Sequence, residues 1–480
     1  MFRKNMRFRL FVCFFALLLL LSACQPTPEE AVVSQKGDLT DKIAETADPS
    51  QVPTGVGSRY IYEKTYETSG NTLSIDVELT GGNESKMPVL TVEGNPFESG
   101  EPMKEIVTTL FPDYQVYDYA ELTQEDYDKE IKRFELALFR EKNHLDPETG
   151  EPLPEGEESL VGYPIADSLQ GLSREERNKL TKVEKLQIYV DELKEKATKA
   201  PRDSELKPAQ YKIEGNVIPQ ENLRLMKGDI KYDVDFANWA DRPGSIFMVK
   251  RMNVDSSLVK LPLKAELPAN VKNLEEQQNI ENILQTMGID YMQLNCIYQG
   301  EDACQYIYTR AYNGAQEDYA AFYLGLTATD GDGVIAQNLW QQEYFQITMY
   351  QGMIQDITWN NPSQIVKVDN ENVKILPWSE IQKIFERQIG YMLAPTSESR
   401  AEGIGPLFWK ASDLRINRIS LGLMKVIMKD TNEYKLIPVW SFFGQDNLNT
   451  ELEECPEKCY LTINAMDKNS LKQVRRYGSR

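Results

Sequence analysis

The stretch WQQEYFQITMYQGMIQDITWNNP, residues 340–362, decides the fold. Trp340–Met349 reads as a strand, Tyr350-Gln351-Gly352 as a turn, and Met353–Trp359 as a second strand closed by Asn360-Asn361-Pro362. So short a connection leaves no room for a crossover helix, and the pair is antiparallel. Downstream, Ile365–Leu376 adds a strand, and Trp378, Ile381, Ile384, Phe385 and Ile389 recur at helical spacing up to Gly390. Asp413–Met428, Tyr434–Phe443 and Tyr460–Ala465 supply three more strands. Strands, a helix and strands again describe an antiparallel α+β domain over 339–480.

Upstream the same logic applies. Tyr60, Tyr62, Lys64 and Tyr66 share one strand face, and Leu73, Ile75, Val77 and Leu79 another; Ser69-Gly70-Asn71 turns the chain between them. Met87–Val92 is a third strand and Met103–Phe111 a short helix. Thr123 caps a helix bearing Tyr127, Ile131, Phe134 and Leu138. Ser173 and Glu176 form a capping box ahead of Leu180, Val183, Leu186, Val190, Leu193 and Ala197. The acidic stretch His144–Gly171 joins the two helices as a solvated loop. Ala200–Pro208 marks a boundary. Beyond it lie strands at Leu223–Phe236, Gly244–Asn253, Ile289–Tyr298 and Gln305–Tyr312, and a helix capped by Asn273 and stopped by Gly288. The expectation is α+β: two domains of antiparallel sheet with packed helices, after a disordered lipoprotein tether. The segments are 58–200 (with the helical hairpin), 201–338 and 339–480.

The 480 residues are 41% hydrophobic and 26% charged, a balance that supports a sizeable core. Asp and Glu number 74 against 53 Lys and Arg, a formal charge of −21. Such an acidic chain repels phosphate backbones, which argues against nucleic acid as a partner. His144 is the one histidine, so a Ser-His-Asp triad has one candidate and a site with two histidine ligands is excluded. No cofactor is expected.

Arg3, Lys4, Arg7 and Arg9 precede the apolar run Leu10–Leu21, which is too short to span a bilayer comfortably. It ends in Leu21-Ser22-Ala23-Cys24, which resembles the lipobox of bacterial lipoproteins. The resemblance implies a signal peptide over 1–23, cleavage before Cys24, and diacylglycerol on its sulfur. Losing four positive residues and no acidic one takes the charge from −21 to −25, so attachment rests on the lipid rather than on attraction to anionic headgroups. Residues 24–57, polar and Pro-rich, read as a flexible tether with a short helix near Leu39–Thr46.

The segments YTRAYNG (308–314), WQQEYFQITMYQGMIQDITWNNP (340–362), YKLIPVWSFFG (434–444) and YLTINAMD (460–467) carry a further resemblance. They resemble an uncharacterised family of clostridial lipoproteins of the Firmicutes. The last third is similar to PepSY-like and YycH/YycI-type extracytoplasmic domains. That family has no catalytic residue to carry over.

Four cysteines remain beside Cys24. Cys296 and Cys304 flank a hairpin loop, where a symmetric turn centred on Gly300 would place them opposite each other; Cys455 and Cys459 bound a tight loop. Two local disulfides are the simplest pairing. Asp330-Gly331-Asp332-Gly333 lacks the ligand spacing of a calcium loop. The carboxylates of Asp126/Asp128 and Glu175/Glu176 sit in helix first turns, where the dipole favours them. Trp340, Trp359, Trp378, Trp409 and Trp440 fall at core spacing, although stacking on sugars is the competing use. The expected function is that of a membrane-anchored extracytoplasmic module, non-enzymatic, binding or regulating a protein of the cell envelope. The alternative is a solute- or glycan-binding lipoprotein. Replacing the acylated thiol tests the anchor: Cys24→Ala is expected to release the protein from membranes or leave it as an uncleaved precursor. A processed variant still tightly membrane-bound on fractionation refutes the lipobox reading.

Overall fold

The computed structural model describes residues 39–48, 55–66, 70–98, 100–118, 122–145, 150–153, 166–170, 173–211, 220–239, 244–252, 254, 258–320, 334–336, 342–393, 413–428, 433–447, 457–467 and 470–471. They form two compact units, one drawn from residues 1–93, 312–338 and 365–480, the other from 94–311 and 339–364. Each is a largely antiparallel sheet with packed helices, so the chain has the expected mixed α+β class.

In the second unit the strand order runs Ala303–Tyr312, Tyr344–Tyr350, Met353–Asn360, Ser245–Arg251, Ile230–Asn238, Gln220–Lys227 and Gln115–Asp118, with Met292–Gln299 also paired to Ala303–Tyr312. One core joins Phe236, Phe247, Tyr306, Phe345 and Trp359 of this sheet to Met103 and Val107 of the helix Glu101–Leu110 and to Ile280 and Leu284 of the helix Leu274–Thr286. The helices Gln124–Asn143 and Lys182–Ala197 bury a separate stripe of Ile131, Phe134, Leu138, Leu186, Val190 and Leu193. The box at Ser173 and Glu176 caps only Arg174–Lys179. Leu180 turns to an extended conformation, and a second box at Thr181 and Glu184 starts the packed helix. One helix expected from apolar spacing is therefore two, because a complete second cap interrupts it.

Asp126 does more than face a helix dipole. Its carboxylate accepts from Thr123 N at 3.1 Å and Thr123 Oγ1 at 2.8 Å, and pairs with the fully buried Arg224 at 2.8 Å. Arg224 also holds Asp233, and Lys231 holds Asp203. Burial pushes the Asp126 carboxyl up, yet Arg224 and Thr123 leave it below its ordinary value. The network fastens the start of the helix to the sheet, and removing one member of such a buried set costs about 3–5 kcal/mol.

The first unit is organised by two long strands, Asp413–Met428 and Tyr434–Asp446, paired from Leu414–Asp446 to Ile427–Tyr434. Neither has one neighbour long enough to cover its other edge. Alongside Asp413–Met428, the strand Thr72–Gly81 runs parallel as far as Leu421, and Val334–Ala336 pairs only from Val426. Alongside Tyr434–Asp446, the partner changes from Leu90–Val92 to Lys458–Asn464. Pro438, which has no N–H to give a ladder, falls in that changeover between Leu436 and Val439. The helix Trp378–Leu393 covers the sheet; Phe385 stacks on Phe442 at 4.2 Å and Trp378 lies 4.9 Å from Trp440.

Part of the segment expected to be a tether is docked on this unit. Leu39 and Ile43 of the helix Leu39–Ala44 are buried, Thr46 bridges to Val373, and Glu84 accepts the N–H of Gly55 at 2.9 Å. A Cβ on Gly55 would lie 2.8 Å from the Glu84 carboxylate and 3.0 Å from Trp378, so a side chain there would have to displace the Glu84 carboxylate that holds this N–H.

The gap along Asp413–Met428 is filled by Glu317 and Asp318. Glu317 bridges in parallel to Leu423, and Asp318 N donates to Leu423 O at 3.1 Å. The Asp318 carboxylate lies against Gly422, where a Cβ would approach it to 2.6 Å, and accepts from Ser420 Oγ at 2.9 Å. Burial pushes this carboxyl up from 3.8 to about 6, against the opposing pull of Arg418 and the Ser441 and Ser420 hydroxyls. The native state therefore binds the proton more tightly than the unfolded chain. The stabilisation is full below the unfolded value and is lost as pH rises through the folded one, by about 3 kcal/mol in all. Asp318→Asn should abolish that limb: the stability of the parent minus that of the variant is expected to fall between pH 4 and pH 6 and to stay flat above. Denaturant titrations across this range check it; a parallel pair of profiles counts against a buried, protonatable Asp318.

Candidate functional site

A groove of about 280 Å³ lies in the second unit, between the helix Leu274–Thr286 and the hairpin Tyr344–Asn360. Each wall follows from local sequence. Asn273 Oδ1 accepts the N–H of Glu276 at 3.1 Å and starts the helix; Gly288, at φ +71°, follows its end. Ile280 and Leu284 anchor one helical stripe in the core, which turns Glu275 and Asn279 outward. On the other side Gln351 and Gly352, at φ +50° and +73°, make the tight turn of the hairpin. The floor is Ile280 and Ile347, the sides are Ile283, Met349 and Ile354, and the rim is polar. Tyr306, rising from the sheet beneath, donates its hydroxyl to Glu276 Oε1 at 2.7 Å.

The hairpin wall is fixed from behind by a buried carboxylate. Glu343, immediately before the hairpin, accepts from Arg310 Nε at 2.9 Å, from Ser363 Oγ at 2.6 Å and from Tyr291 OH at 2.9 Å. The guanidinium of Arg310 also bonds the carbonyl of Ser363 and lies over the Tyr291 ring, 3.9 Å from its centroid. Burial, with the Glu343 charge adding to it, holds the Tyr291 phenol well above its ordinary range. The YTRAYNG motif and the 340–362 motif thus meet at one point, where Arg310 ties the two ends of the hairpin segment. Their shared chemistry here is structural.

The structure treats the other sequence candidates differently. Cys24, Cys455 and Asp330–Gly333 lie outside the described residues, as do Trp340 and Trp409. Cys304 pairs across the ladder with Gln299, and Cys296 with Ile307. The two cysteines are three positions out of register and, the strand period being two, face opposite sides of the sheet. The expected disulfide between them is corrected accordingly. The reason lies in Gly300, which is not the apex of the turn. Its N–H donates to Ala303 O at 2.8 Å, leaving Glu301-Asp302 as the turn, and a Cβ on it would meet Lys260 O at 2.3 Å. Cys459 is fully buried beside Thr462, and burial pushes its thiol up to about 12. His144 is exposed and ends the helix Gln124–Asn143 in the left-handed conformation at φ +54°. Trp359 and Trp440 are buried and Trp378 packs on Trp440, so these rings are core rather than a platform for sugars.

The groove itself is absent from the sequence-level candidates. Asn273 and Glu276 are legible as a cap, but nothing local links them to Met349 or Ile354, some seventy residues away. Among the described residues no group of three or more His, Cys, Asp or Glu side chains is placed to hold a metal ion. No helix among them is long and apolar enough to cross a membrane.

No protein-family model matches the chain, and no curated protein matches it. Two solved structures show weak likeness. An uncharacterised protein from Eubacterium rectale ATCC 33656 is 8% identical with a TM-score of 0.35, covering 91% of this chain and 98% of its own. The C-terminal domain of Bacillus megaterium YpeB is 9% identical with a TM-score of 0.18, covering 53% of this chain and 88% of its own.

Proposed function

We propose that this chain is a lipoprotein anchored through Cys24 to the outer face of the cell membrane, acting by binding a protein of the envelope rather than by catalysis, with the groove beside Leu274–Thr286 as its recognition surface. The observation that carries the reading is the composition of that groove: an apolar floor and sides under a polar rim, with walls from two elements each locked into the core. Interfaces that recognise polypeptide take this form, with a desolvated apolar centre inside a polar rim. Among the described residues no aromatic ring lines it, so it offers no face on which a sugar could stack.

The segment 39–48 supports the arrangement. Its docking on the first unit leaves fourteen residues between Cys24 and Leu39, a reach of at most about 50 Å if extended. The domains are then held close to the membrane, within range of other envelope proteins. Ile283→Trp, which fills the groove from its helical wall, tests the reading. Cross-linking in intact cells with mass spectrometry of captured proteins should find at least one partner depleted about tenfold in the variant at equal protein level, the scale of a buried aromatic or aliphatic anchor. An unchanged partner set rejects the groove as the recognition surface.

A further inference from the structure

We infer that the occupant of the groove is a lysine or arginine side chain presented by the partner polypeptide, an inference that rests on the groove being the recognition surface. Size comes first. At about 280 Å³ the space falls just below the range of roughly 300–1,000 Å³ that takes a drug-sized ligand. It suits a long side chain and its neighbours better than an oligosaccharide or a whole cofactor.

Chemistry then selects among side chains. Among the described residues the charged side chains lining the groove are Glu275 and Glu276, and Asn273 and Asn279 complete the rim. Glu276 is aimed by Tyr306, and Glu275 is exposed in the first turn of the helix. A purely apolar side chain would bury itself against Ile283, Met349 and Ile354 but strip water from two carboxylates and give nothing back. An anionic one would meet both carboxylates in a chain of formal charge −21. Lysine and arginine satisfy both parts at once, since their methylene stems lie along apolar surface while the charged head stays at the polar edge. The thioether of Met349 adapts to either stem. One term opposes the assignment: the helix begins here, and its dipole places about half a positive charge at that end. Two full carboxylates in the first turn outweigh it.

The test uses the full chain, purified with its anchor in nanodiscs and labelled at the Ile δ1 and Met ε methyl groups. Capped tripeptides Ac-Ala-X-Ala-NH2, with X as Lys, Arg, Leu or Glu, are titrated as probes. The Lys and Arg peptides are expected to shift the Ile283, Ile354 and Met349 methyl signals about fivefold more strongly than the Leu and Glu peptides at equal concentration. The difference should shrink as salt rises and the Debye length falls from about 10 Å to about 3 Å. Glu275→Gln/Glu276→Gln should remove it while keeping an acceptor for Tyr306, and Asn279→Lys, which supplies a cation from within, should do the same. Equal shifts with the Leu peptide, or shifts that survive the Gln pair, overturn the cationic assignment. So does silence of the groove methyls with every probe. Loss of partners in Ile283→Trp alongside any of these leaves the recognition surface standing and rejects only the occupant.

Discussion

A carboxylate with no exposure to solvent has to be paid for by its partners, and Glu343 collects three donors from three separate stretches of chain: Arg310, Ser363 and Tyr291. Desolvating both ions of such a pair costs several kcal/mol each, and the attraction offsets this only when geometry is good and every remaining lone pair is used. The arrangement is therefore all or nothing. With it in place, the hairpin Tyr344–Asn360 has a fixed origin and a fixed end, and its turn forms a rigid side of the groove. Without it, the hairpin would be held by its ladder bonds and by the core contacts of Phe345, Ile347, Ile357 and Trp359, which are non-directional.

The same economy recurs elsewhere. Arg224 fastens the helical hairpin to the second sheet through Asp126, and Lys435 links Asp369 and Thr91 at 2.8 and 2.7 Å in the first unit. All three clusters join segments far apart in sequence, which suits units assembled from interleaved stretches. Apolar contacts are non-directional and tolerate sliding; a buried ion pair with full hydrogen bonding does not, and so it fixes register where several strands compete for one edge. The first unit shows where that competition ends. Each of its two longest strands changes neighbour partway, and the changeovers are occupied by Pro438 on one and by Gly422 with Asp318 on the other.

Much of this was legible in the chain and some was not. The strands at 344–360, 413–428 and 434–446 and the helix caps at Asn273 and Gly288 follow from patterns within a few residues. One misreading arose where a distant segment set the geometry, another where a second local signal was passed over. Gly300 looks like a turn apex, but its lack of a side chain serves the backbone of residue 260, and the turn moves one and a half residues along, taking Cys296 out of reach of Cys304. Ser173 looks like the start of a long helix, and here the signal was local: Thr181 and Glu184 repeat the box eight residues later.

By itself the sequence determined most of the strands and helices, the α+β class, the net acidity, and the candidate acylation site at Cys24. Each depends on short-range periodicity, on summed charge or on a linear motif. Only the tertiary structure decided which strands are neighbours, that Glu343 and Arg310 meet, that Asp318 plugs a sheet, and that a polar helix face and a hairpin turn enclose an apolar groove. Those outcomes depend on pairings across tens or hundreds of residues, where one chain pattern is compatible with many partners and burial of specific charges selects among them.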